Sequence, residues 1–97
     1  MKLRFKKDAV NEMFDAASYY DAEVPGLGRE FENELKDGFD KVLENPERWP
    51  RIHRNIRRYR LHRFPYGIVY EIGVDSIVVI AVMHLKRKPG YWRKRLP

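Results

Sequence analysis

Two periodicities divide the chain. Between residues 8 and 43 apolar side chains recur at helical spacing; from residue 56 onward they alternate or run together, as in strands. Val10, Met13, Phe14, Ala17 and Tyr20 stand at i, i+3, i+4, i+7 and i+10, which predicts one stripe of a first helix. Asp8 occupies the expected N-cap, and Glu12 follows in the early turns, where negative charge favours a helix start. Pro25-Gly26-Leu27-Gly28 ends that helix. A second begins near Gly28 with the stripe Phe31, Leu35, Phe39, Val42 and Leu43. It closes at Asn45-Pro46, because the residue before a proline leaves the α region. The pair reads as an αα-hairpin. Ahead of it, Lys2–Phe5 alternates polar and apolar and reads as a short strand.

In the second half the period falls to two. A strand at Ile56–Arg63 would turn Ile56, Arg58, Arg60 and His62 to one face, and Arg57, Tyr59, Leu61 and Arg63 to the other. Pro65-Tyr66-Gly67 predicts a turn, Ile68–Ile72 a strand, Gly73-Val74-Asp75-Ser76 a second turn, and Ile77–His84 a last strand. That strand is apolar at nearly every position, so both its faces must be covered. The helices can cover one. The other falls to the C-terminal segment, to a partner chain, or to both. Pro89–Pro97 is either a short helix or an extended arm. The expected fold is α+β in a single domain over residues 1–97. It has a short N-terminal strand, the αα-hairpin, and a three-strand antiparallel meander, forming one sheet with the helices on one face.

Charge changes this picture from folding to partners. Residues 1–47 carry 7 Lys and Arg against 12 Asp and Glu, a net of −5, whereas residues 48–97 carry 13 against 2, a net of +11. Such asymmetry points to an anionic partner. There is no cysteine, so disulfide and thiolate chemistry are excluded. The three histidines, His53, His62 and His84, have no ligand spacing, and neither metal nor other cofactor is expected. No apolar run approaches the roughly 20 residues of a membrane span. The start, Met1-Lys2-Leu3-Arg4-Phe5-Lys6, turns charged at once, and a cytoplasmic protein with no membrane or small-molecule partner is expected. The densest chemistry lies in Arg57-Arg58-Tyr59-Arg60-Leu61-His62-Arg63 and in His84 to Trp92, where arginines interleave with aromatics as in proteins that grip phosphates.

Several motifs together resemble the RelE/ParE superfamily of bacterial toxins, the plasmid-stabilisation type. They are Pro-Gly-Leu-Gly at 25–28 followed by Phe31, Asn45-Pro46 with Trp49-Pro50, and Ile56-Arg57-Arg58. Arg63-Phe64-Pro65-Tyr66 leading into Val69-Tyr70 follows, and then Ala81-Val82-Met83-His84, Arg87 and Pro89-Gly90-Tyr91-Trp92. The resemblance covers nearly the whole chain. It implies a toxin of a type II toxin–antitoxin system, neutralised by a cognate antitoxin that wraps it with an acidic segment. The free toxin is implied either to cleave messenger RNA on the ribosome or to poison DNA gyrase.

RNA cleavage requires a proton to be taken from the 2′-OH, one given to the 5′-oxygen, and charge on the phosphoryl oxygens stabilised. Arg58 and Arg60 share a strand face and are spaced to clamp a phosphate. By resemblance, Arg87 would stabilise the transition state, Tyr91 would position the substrate or donate a proton, and His84 would act as acid or base, a task imidazole chemistry suits. The fullness of this set favours ribosome-dependent mRNA cleavage. Gyrase inhibition without nuclease activity, or a degenerate toxin retaining only antitoxin binding, are the alternatives.

Plainer roles compete. His84 could equally be a structural hydrogen-bonding residue, and Tyr91 and Trp92 could pack over the open sheet face. Arg57 and Arg63 read as rim residues pairing with helix acids such as Glu34 or Asp37, and Glu71 could pair with Arg58 or Arg60. Phe14, Tyr19, Tyr20, Phe31 and Phe39 read as core, His53 and His62 as exposed bystanders, and the helix acids as a solvated face.

Overall fold

A computed structural model describes all residues, Met1–Pro97. The chain runs β1 (Lys2–Phe5), α1 (Lys7–Glu23), α2 (Leu27–Glu44), β2 (Arg51–His53), β3 (Ile56–Arg60), β4 (Tyr66–Ile72), β5 (Ser76–His84) and a C-terminal 3-10 helix (Tyr91–Arg95). The strands form one sheet in the order β1-β5-β4-β3-β2. β1 lies parallel to β5, and the other neighbours are antiparallel. Both helices cover one face. No helix is long and apolar enough to cross a membrane.

The helix-side core gathers Phe31, Leu35, Phe39 and Val42 of α2 with Tyr59, Ile68, Tyr70, Ile77, Val79 and Val82 of the sheet. The opposite face holds a smaller core of Ile56, Val69, Ile80, Ala81 and Met83, closed by Trp92. A bulge lets β5 serve both. Val69 faces Ala81 while Tyr70 faces Val79, so Ile80 is an extra residue. Ile80, Ala81 and Met83 therefore point to the second core while Val79 and Val82 stay on the helix side. The continuous apolar run of β5 is explained: the C-terminal segment covers the face the helices leave open.

Five strands form where four were expected. The additional one, β2, has three residues, too few for alternation to show in sequence. The expected strand Ile56–Arg63 stops at Arg60, and β4 starts at Tyr66, inside the expected turn. Tertiary contacts cause this. The Glu34 carboxylate on α2 accepts the backbone N–H groups of His62 and Arg63, lifting them out of the ladder. Leu61 and Phe64 on either side turn into the helix-side core.

The helix starts also differ. Lys6 holds the N-cap position of α1, and Asp8 lies in its first turn. α2 begins at Leu27, packed tightly against α1: a Cβ on Gly28 would overlap the Ala17 carbonyl oxygen. Asp21 Oδ1 accepts the N–H groups of Gly26 and Gly28, both at 3.0 Å, which fixes the sharp entry. The buried stripe of α1 is Ala9, Ala16 and Ala17, with Met13 and Tyr20 packed beside it. Phe14 and Tyr19, expected in the core, are 62% and 59% exposed. The alanines bring the helix close to β5 and leave no room for larger rings.

Candidate functional site

β1 reaches only as far as Val79 along β5, so the outer edge of β5 beyond it would present unpaired backbone groups. Side chains close that edge. Glu12, on the alanine face of α1, accepts the Val82 N–H at 3.0 Å and the Tyr91 hydroxyl at 2.6 Å. It also receives both terminal nitrogens of Arg95 at 2.9 Å each. Arg95 donates to the Ile80 carbonyl at 3.1 Å and lies 3.4 Å from Asp8. Arg87 stacks 3.8 Å from the centre of the Tyr91 ring and comes within 3.7 Å of Glu12. Burial and the bond to Glu12 push the Tyr91 hydroxyl well above the usual tyrosine range. The Arg95 guanidinium is held in its charged form first by Glu12. The network straps the C-terminal helix to α1 around the sheet edge.

His84 ends β5 on the helix side. Its ring packs 5.0 Å from Tyr66, and its Nδ1 accepts the Lys86 N–H at 3.1 Å. It opens into a cleft of about 200 Å³ shared with Glu12, Asp15, Tyr19, Tyr66 and Arg87. His84, Arg87 and Tyr91 thus meet at one rim.

Arg58 and Arg60 do not join them. They sit on the opposite face of the sheet, on the parity of Ile56, as alternation requires. Arg58 lies in a cleft with Ile52, Met83, Pro89, Gly90, Trp92 and Arg93. Partial burial, then the charge of Arg60, lower its proton affinity. Glu71 pairs with neither; it accepts from the Asn55 amide at 2.9 Å. Arg57 donates to the carbonyls of Glu47 and Trp49 at 3.0 and 2.7 Å, not to a helix acid. Arg63 forms an ion pair with Glu30 at 2.8 Å. His53, read as a bystander, packs 6.2 Å from Trp92 and is pushed below the usual histidine range by partial burial, Arg93 and Arg54. No group of three or more His, Asp or Glu side chains is placed to hold a metal ion.

Glu12 was the residue that sequence reasoning missed, having been assigned to a solvated acidic face. A signal was present: Glu12 stands three residues after Ala9 and four before Ala16, a carboxylate on the stripe of smallest side chains. Arg95 carried none, since its element has no periodicity.

The solved structure of a chromosomal ParDE toxin–antitoxin (TA) system from P. aeruginosa has a chain with the same fold. The TM-score is 0.78 at 12% identity, over 89% of this chain and 97% of that one. None of the curated proteins matches the sequence. The family described as the ParE toxin of type II toxin–antitoxin systems, parDE, matches residues 3–89. With the match spanning β1 through the segment after β5, the chain belongs to the ParE toxin family, within the RelE/ParE superfamily.

Proposed function

We propose that this toxin arrests growth by binding and poisoning DNA gyrase, without cutting RNA. One observation carries the proposal: the residues expected to cleave RNA do not converge on one point. The phosphate clamp, Arg58 and Arg60, lies on the face covered by Trp92, while His84 lies on the helix face. In-line cleavage needs acid, base and charge stabilisation around a single phosphate. Tyr91 is a poor proton donor, because its hydroxyl already donates to Glu12 and is held protonated. Arg87 is drawn onto Tyr91 and Glu12. Membership in the ParE family is consistent with this reading, gyrase poisoning being one of the two mechanisms that the resemblance implied. In this account the five residues form a binding surface and a strap with no chemical step, and the cognate antitoxin of the type II system covers them.

The test is a supercoiling reaction with purified gyrase, relaxed plasmid and the purified toxin. Loss of supercoiling with protein-linked linear DNA is expected. Unimpaired supercoiling, with ribosome-bound messenger cut by the same preparation, would overturn the proposal and return the chain to the mRNA-cleaving class.

A further inference from the structure

The far face of the sheet carries arginines that nothing in the chain neutralises. The five ion pairs engage Lys36, Arg63, Arg87 and Arg95 as cations, and none engages Arg58, Arg60 or Arg93. Two of these charges are nevertheless built into a cleft. The stem of Arg58 lies across Gly67, where a Cβ would come within 3.0 Å of its Cγ and Cδ. From the other wall, Arg93 folds back over Gly90, whose φ of +75° suits glycine and whose Cβ would stand 2.8 Å from Arg93 Nε. Between them is a cavity of about 90 Å³ floored by Ile52, Met83 and Trp92. Water occupies about 30 Å³ per molecule in the liquid, so the space suits the end of one side chain. Arg58 is partly desolvated beside Arg60, and His53 faces Arg93 and Arg54. An anion in the cleft would offset the crowding of Arg58 against Arg60 and of Arg93 beside His53.

We infer that the cleft between Arg58 and Arg93 receives a carboxylate side chain from an acidic, partly apolar segment of the antitoxin. The floor argues for a peptide over a nucleic acid. Single-stranded nucleic acids gain much of their affinity by stacking on open aromatic faces. Here Trp92 is only 2% exposed, and the Tyr91 ring has Arg87 and Arg95 against it. A phosphodiester would meet only the two guanidiniums, whereas the methylenes of a glutamate would also pack on the part-exposed Ile52. The inference rests on the toxin having a protein antitoxin and not on gyrase being its target; its test contains no topoisomerase, so the two can fail separately.

The purified full-length toxin is titrated with an acetylated decapeptide of alternating leucine and glutamate, and separately with a ten-nucleotide oligothymidine, by calorimetry at low salt. Arg58→Gln with Arg93→Gln in one chain is the test variant, and Lys36→Gln with Lys41→Gln, both exposed on α2, controls for the loss of two charges. Circular dichroism confirms that each is folded. The peptide should bind, and the double variant should lose about tenfold in affinity, as expected for two partly exposed charge pairs, while the control changes less than twofold. Equal affinity in the double variant, no peptide binding, or tighter Arg58- and Arg93-dependent binding of the oligonucleotide would each overturn the inference.

Discussion

Glu12 shows how one residue can decide the arrangement of a whole edge. Its carboxylate accepts four hydrogen bonds, from Val82, Tyr91 and two nitrogens of Arg95, and only 15% of the side chain is exposed. Removing it leaves the Arg95 guanidinium, 10% exposed, without its main counter-charge. Breaking one partner of such a pair costs about 3 kcal/mol, so Glu12→Ala should lower Tm by more than about 10 °C by calorimetry. Tyr91→Phe, which loses one bond of the four, should cost about 1 kcal/mol. A Glu12→Ala protein as stable as the parent would show that the strap is incidental. Tyr70 offers a second test. Its buried hydroxyl donates to the Pro46 carbonyl, and burial raises it to about 12 from 10.0. A raised pKa gives stability that is complete below the unfolded value and lost as pH climbs to the folded one, here between about 10 and 12. Tyr70→Phe should therefore be slightly less stable at pH 7 and lose less stability over that alkaline window, as urea unfolding at stepped pH would show.

At the scale of elements, the patterns that were legible were the long ones. The α2 stripe of Phe31, Leu35, Phe39 and Val42 is buried as its spacing requires, and the Arg58/Arg60 parity of β3 follows from alternation. Helix α1 was placed correctly, and Met13, Ala17 and Tyr20 of its expected stripe face the core, whereas Phe14 does not. Hydrophobic size drew attention to Phe14, while the close approach to β5 selects the alanines. β2 and the early end of β3 were illegible because neither is set locally. One is a three-residue edge, and the other is ended by Glu34, which lies 28 residues from His62 in sequence. The C-terminal helix is the element on which the second core depends. Trp92→Ala should cost about 3–5 kcal/mol by cavity formation, a large share of the stability of a domain this size, and should raise binding of a hydrophobic dye. An unchanged urea midpoint would mean that the far face needs no cover.

For the whole molecule, the division between an acidic half and a basic half becomes a division between a helical layer and a sheet whose far face is cationic. Charge composition indicated an anionic partner, and the family supplies an antitoxin. Which chemistry the free toxin performs was not legible, because His84, Arg58 and Tyr91 can be counted in a sequence while the faces they occupy cannot. Association with the antitoxin should weaken at least about tenfold between low and high salt if exposed arginines carry it. A salt-independent Kd would assign the interface to apolar surface instead. The central claim, that this fold binds its target and does not cut RNA, is tested most directly by inducing the toxin in growing bacteria and assaying chromosomal breaks and messenger integrity in the same samples within minutes. The account predicts DNA breaks and a damage response while messages stay intact. Cleaved messages with undamaged DNA would contradict it.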